Sequence, residues 1–283
     1  MPVRFATTDR TALAREARDG YPSRGGGAKA VAARAVFARA VWDAQGRRRL
    51  PTRPELDRAL AGLKPADLEW LCEFAPLGPL YFLPTTRWVD ALAASLRSWG
   101  VRRVLEVGAG EGLVSRALAK RAPDLFVQAS DSGAWQRPAA RMSPAERATI
   151  DVARVPGLAL GEDVWKLGAA EAIRRFQPDL VMGVWLPPAG TLLTRLIRSP
   201  VRYVLDVGAA GGVTPGAWHW RFAHDLCEGP LEQHARCRLD RRPAEGLATR
   251  ATLYFGRSHE GHHCERVRPG DWLWQFRPAS GST

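Results

Sequence analysis

The chain has 283 residues, 46% of them apolar and 25% charged, which is length enough for a sizeable core and an ordinary balance for a globular protein. No apolar run reaches the length of a membrane span, and the opening residues lack the apolar stretch of a secretory leader, so no membrane partner and a cytoplasmic location are expected. The formal net charge is +12, carried almost wholly by arginine, since lysine occurs only at positions 29, 64, 120 and 166.

Residues 1–84 read as a basic, mainly helical extension. Its first fifty residues hold eleven basic against four acidic side chains, an arm that is either a solvated tail or a track for phosphates. Residues 1–27 are polar and end in Ser23-Arg-Gly-Gly-Gly27, so disorder or an irregular cover is expected there. Over 28–43 the apolar residues Val31, Val36, Phe37, Val41 and Trp42 can share one helical side, leaving Arg34 and Arg39 to solvent. Thr52-Arg-Pro-Glu55 has the spacing of a capping box, with Gly62 as a stop, and a further short helix follows Pro65. The bland role of this layer is to cover the main sheet; the functional one is a substrate lid. The cysteines at 72, 227, 237 and 264 form no CxxC pair, which argues against a disulfide framework or a zinc ribbon.

From residue 85 onward the pattern becomes that of an α/β sheet. A helix carries Trp88, Leu92 and Leu96 at every fourth position and stops at Gly100. A short apolar strand over 104–107 then runs into Gly108, Gly110 and Gly112, and a helix follows from Leu113. Such a turn lets bare backbone approach a ligand while the first helical amides point at it. The dinucleotide fingerprint G-x-G-x-x-G/A needs a small residue where Leu113 stands.

Glu106-Val-Gly108-Ala109-Gly110-Glu-Gly112 instead matches E-x-G-x-G-x-G and resembles the class I S-adenosylmethionine-dependent methyltransferases. The resemblance covers about residues 85–283 and implies a Rossmann-like doubly wound sheet, mostly parallel, with a C-terminal antiparallel strand. It implies S-adenosyl-L-methionine as cofactor, with Glu106, Gly108, Ala109, Gly110 and Gly112 at its methionine end. Asp131 and Ser132, at the end of a second strand about twenty residues after the turn, would meet the ribose. A carboxylate suits paired hydroxyls because it can accept two hydrogen bonds at once.

A third strand is expected over 164–167, which puts Gly168 and Ala169 at the adenine, where the family usually has an acidic residue; an earlier strand would give that place to Asp163. Residues 178–185 read as strand four, ending in Trp185-Leu-Pro-Pro188. Members of the family that methylate exocyclic amines of bases, or glutamine amides, have (N/D/S)-P-P-(Y/F) here; this chain has Leu186 in place of the acceptor and Ala189 in place of the ring, which counts against an adenine-N6 or glutamine methyltransferase. Trp185 and Pro187 are then candidate substrate-pocket residues.

Val204-Leu-Asp-Val-Gly208 repeats Val104-Leu-Glu-Val-Gly108 and fits strand five of the same sheet. His219, His224 and Asp225 are expected on a following helix, with His219 the candidate general base because imidazole titrates near neutrality. Residues 249–256 and 272–276 have strand character and suit the antiparallel pair that closes such a sheet. His259-Glu-Gly-His-His263 matches H-E-x-x-H only in letters, since a glycine lies inside it and strands flank it, so no metal is expected. The expected function is methyl transfer to a small-molecule substrate. The alternatives are an RNA- or protein-directed methyltransferase using the basic arm, a dinucleotide enzyme, and a non-catalytic module of the same fold. The sequence leaves the oligomeric state open.

Overall fold

In the computed structural model, described over residues 9–73, 75–78, 80, 82–133, 160–186, 191–209, 219, 222–227 and 249–259, the chain folds as a helical layer followed by a seven-stranded sheet. The layer has four helices: α1 (Arg10–Arg18), α2 (Ala28–Val41), α3 (Arg53–Ala61) and α4 (Pro65–Glu73). α1 stands where the sequence suggested an irregular cover. Asp9 caps it by accepting from the Thr11 and Ala12 amides, and it packs through Ala14 and Ala17, too small to announce an apolar face.

α2 packs against α1, α3 and α4 and so has little free surface. Arg34, expected in solvent, is therefore buried. It donates to the Gly20 carbonyl (2.9 Å) and the Gly25 carbonyl (2.7 Å), and pairs with Asp67 of α4 at 2.9 Å. Val36 faces outward instead, at 41% exposure. The guanidinium provides enough donors for the loop carbonyls and a carboxylate together, which is why a charge can be tolerated in this core. Thr52 and Glu55 form the expected capping box at the start of α3.

α5 (Thr86–Ser98) leads into the sheet, which consists of β1 (Arg103–Val107), β2 (Phe126–Ser130), β3 (Val164–Trp165), β4 (Leu180–Val184), β5 (Tyr203–Ala209), β6 (His224–Cys227) and β7 (Thr249–Phe255). Their order is β3-β2-β1-β4-β5-β7-β6. The first five are parallel, and β7 runs antiparallel between β5 and β6. This is the Rossmann-like, mostly parallel sheet with an antiparallel C-terminal strand that the sequence pattern implied. His224 and Asp225 lie on strand β6, not on a helix, because His224–Cys227 adds to β7 as an edge. Residues 272–276 lie outside the described residues.

α5 and α6 (Leu113–Arg121) cover one face of the sheet, where Trp88, Leu92 and Leu96 meet Val104, Leu118 and Leu205. α7 (Ala169–Phe176) and α8 (Leu192–Ile197) cover the other, where Ile173, Leu193 and Leu196 meet Val107, Val181 and Tyr254. The strand order reverses direction between β1 and β4, and in open sheets of this kind a ligand crevice lies outside the carboxyl ends of the strands at that point.

Candidate functional site

β1 ends at Val107, and the chain turns through three glycines, all in the left-handed region: Gly108 (φ 65°), Gly110 (φ 55°) and Gly112 (φ 69°). An L side chain in this region crowds its own backbone, so the sequence of glycines is what permits the turn. Gly112 opens α6 without a side-chain cap. A β-carbon on Gly112 would lie 2.7 Å from a methyl of Val164, so the third glycine also admits β3 beneath the turn. On Gly108 it would lie 3.3 Å from Leu186.

Two buried carboxylates fix this turn from opposite sides. Glu106 accepts from the Ser115 amide of α6 at 2.9 Å. Burial, chiefly, pushes its carboxyl up to about 7; the Ser115 hydrogen bonds oppose the shift and the nearby Asp131 charge adds to it. Glu106, expected at the ligand's methionine end, bonds to the first turn of α6 through one carboxylate oxygen. Asp131 accepts from the Gly110 amide at 3.0 Å and, through its other oxygen, from the Gly133 amide at 2.7 Å. Its own amide donates to the Trp165 carbonyl, tying β2 to β3. Ala109 donates to the Ser130 carbonyl, and Ser132 is exposed beside Asp131.

The segment that brings β3 into the sheet also reaches the turn: the Gly161 amide donates to the Gly110 carbonyl at 3.2 Å. β3 is Val164–Trp165, and Asp163 stands immediately before it, two residues after the Gly161 amide that reaches the turn. Gly168 caps the start of α7 with no side chain, and a β-carbon there would meet nothing within 4 Å. Ala169 is the first residue of α7. Where the family resemblance implies an acidic residue there is thus open space and a helix start.

At the end of β4, Trp185 has φ 60°, an outlier for a bulky side chain, and its amide donates to the Val207 carbonyl at 2.7 Å. Leu186 folds back over Gly183, where an added β-carbon would come within 2.5 Å of it, and is buried. Pro187 lies outside the described residues. His219 is buried in the layer under β5, with its Nε2 3.1 Å from the Thr194 hydroxyl of α8 and its ring stacked on Phe222. The structure thus gathers Glu106, the three glycines, Ala109, Asp131, Ser132 and Trp165 into one locality and seats His219 on α8.

No group of metal-ligating side chains occurs among the described residues. His259, the first residue of the H-E-x-x-H letters, stacks on Phe255 with ring centroids 4.5 Å apart; residues 260–263 lie outside the described residues. Two features of the site were missed in the sequence. Arg10 of α1 reaches the turn itself, pairing with Glu111 at 2.6 Å while donating to the Gly46 carbonyl at 2.7 Å. Asp206 of β5 is a buried carboxylate; its place in the repeated Val-Leu-acid-Val-Gly motif was the available signal.

Comparison with known proteins gives no matching family model and no matching curated protein. Among solved structures, the chain is similar to the sugar N-methyltransferase KedS8 from Streptoalloteichus sp ATCC 53650, with 21% identity over 51% of this chain and 54% of that one and a TM-score of 0.25. It is also similar to the 23S rRNA methyltransferase ErmE, with 18% identity over 60% of this chain and 69% of that one and a TM-score of 0.29. The matched part thus spans about half the length of the first. The Rossmann-like assignment rests on the strand order and the turn described above.

Proposed function

We propose that the protein is an S-adenosylmethionine-dependent methyltransferase acting on a small molecule. The observation that carries this reading is the three-glycine turn at the β1 end of the crevice, held to Asp131 through the Gly110 amide. The fit is supported by an α6 start whose N-cap, Gly112, has no side chain: ahead of the Ser115 amide that Glu106 takes, the Leu113 and Val114 amides would face the ligand's carboxylate. Asp131 and Ser132 would take the ribose hydroxyls, and the open space at Gly168 and Ala169 would take the adenine. The bound cofactor supplies a methyl group on a sulfonium sulfur; much of the chemistry resides there.

The chain's own residues then have three tasks. Glu106 and Asp131 hold the turn in shape from below and from the side. Trp185 and Leu186 close the β4 side of the crevice and help to keep water out. The ends of β4 and β5 position the acceptor, since orientation alone can raise effective concentration to ~10⁵ M or more. No part of this requires a dedicated base.

The test is calorimetric titration of the full chain. Micromolar affinity for S-adenosylmethionine with none for NAD is expected; NAD binding alone would establish the dinucleotide reading, and binding of neither would favour a non-catalytic module. The N-terminal layer bears on the same measurement. Arg10→Ala removes a partly exposed ion pair, so a stability change of at most about 1 kcal/mol is expected. Because Arg10 links α1 to Glu111 inside the ligand turn, cofactor affinity should nonetheless fall several-fold. Unchanged affinity would show that the layer only covers the sheet.

A further inference from the structure

On the face of the sheet covered by α7 and α8, the residues Val107, Gly183, Asp206 and Thr252 stand side by side in register across β1, β4, β5 and β7. Adjacent strands are ~4.8 Å apart, so Asp206 lies two strands, roughly 10 Å, from the residue that precedes the glycine turn. It is near the carboxyl end of β5, one residue before Val207, whose carbonyl accepts from Trp185. Gly183 offers no side chain between Val107 and Asp206, and Leu186 fills part of that space.

Asp206 is 6% exposed, and its Oδ1 is buried with no hydrogen-bond partner among the described residues. A buried carboxylate is normally paired or hydrogen-bonded, because removing its charge from water is expensive. The other buried carboxylates among the described residues obey that rule: Glu106 has Ser115, and Asp131 has Gly110 and Gly133. Asp206 therefore has the form of half a pair, with no second half among the described residues.

We propose that Asp206 is the recognition site for a protonated amine, and that the methyl acceptor is accordingly an amine-bearing small molecule. The site itself stands on the geometry of β4 and β5; the role of the amine as methyl acceptor rests on the function proposed above. After β4 the apolar Leu186 side chain is turned into the core, and the unpaired carboxylate stands on the next strand, β5.

The chemistry follows from the pairing. An ammonium donates up to three hydrogen bonds and carries the opposite charge, so it satisfies the orphaned oxygen and neutralises the site. Burial alone pushes the Asp206 carboxyl up to about 7, and burial lowers the basicity of an amine. The two groups thus approach each other in proton affinity. R–NH3⁺ and Asp–COO⁻ can pass to R–NH2 and Asp–COOH, leaving the lone pair of a neutral nitrogen available. The titratable neighbour that senses Asp206 is Tyr254 of β7, whose hydroxyl is pushed well up by burial and by the Asp206 charge, so it remains neutral throughout.

The test is ¹³C NMR of the full chain labelled at its aspartate carboxyl carbons, titrated from acid to alkaline pH. The Asp206 signal is assigned by its loss in Asp206→Asn, or in Asp206→Glu should the amide variant not fold. With methylammonium chloride as the probe, the Asp206 titration midpoint should fall by at least one pH unit; an equal concentration of sodium chloride, or methanol, should leave it in place. A midpoint that moves equally with sodium chloride reflects screening and overturns the proposal, as does one that does not move at all. Binding of S-adenosylmethionine without a methylammonium shift would remove the amine site and keep the methyltransferase. A shift in a protein that binds no S-adenosylmethionine would keep the amine site and remove methyl transfer.

Discussion

Gly110→Val is expected to lower S-adenosylmethionine affinity at least about 100-fold, while Gly112→Val is expected to lose stability on the order of 2–5 kcal/mol in urea denaturation. The two substitutions are the same chemical change two residues apart in one turn, and both place a branched side chain at positive φ. That shared strain contributes about 1–2 kcal/mol to each. They differ in what surrounds them. At Gly112 the new β-carbon is driven into Val164 at 2.7 Å, so β3 must move or the start of α6 must unwind, and overpacking of this kind adds about 1–3 kcal/mol. At Gly110 the backbone holds the Asp131 and Gly161 contacts through its amide and carbonyl, which a side chain leaves in place. Under the proposed function, the branched carbons there would enter the ligand's path. Calorimetry and urea melts on the same two proteins separate the effects. Full affinity in Gly110→Val would mean that the cofactor lies elsewhere, and a stable Gly112→Val would mean that β3 does not need the glycine.

The contrast also shows which parts of the site can be read from sequence. The run of residues 104–112 carries its own explanation, since a strand, three glycines and a helix are local features whose spacing alone dictates a backbone turn. The same is true of Trp88, Leu92 and Leu96, whose fourfold spacing fixes the buried side of α5. What each polar side chain does inside the turn is not local. Glu106 sits in the ligand pattern, yet its carboxylate bonds to Ser115 because α6 folds back across the end of β1. Arg34 has the helical position of a solvent-facing residue and is buried because α1 and α4 close over α2. α1 itself was missed because alanines give no apolar stripe, and β6 because His-Asp-Leu-Cys has no alternation to mark a strand; both become elements through a cap or a neighbouring strand. Asp206 was visible as a letter in a repeated motif, but its isolation is a property of the fold around it.

That isolation leads to a measurable pH dependence: stability should be higher at pH 5 than at pH 8. Glu106 and Asp206 are both acids whose folded values are raised by burial, from 4.5 and 3.8 respectively to about 7. Between about 4 and 7 the folded protein therefore holds protons that the unfolded chain has released, and stability falls as pH rises through that interval. The stabilisation is complete below the unfolded values and is lost once pH passes about 7. At about 1.4 kcal/mol per pH unit, the change from pH 5 to pH 8 is on the order of 3 kcal/mol for each group. The depressed carboxylates act in the opposite direction but in a different window: Asp124, held at about 2 by Arg97, titrates well below pH 5 and leaves this interval untouched. Asp206→Asn replaces the titrating group by a neutral one of nearly the same shape. It should raise stability at pH 8 by about 2–3 kcal/mol, leave stability at pH 5 nearly unchanged, and reduce the slope to the part that belongs to Glu106. Urea midpoints of both proteins at pH 5, 6, 7 and 8 make the comparison, and parallel profiles would show that Asp206 is not ionised in isolation. A carboxylate that weakens the fold at neutral pH, and whose removal strengthens it, is understandable where a bound cation restores the balance.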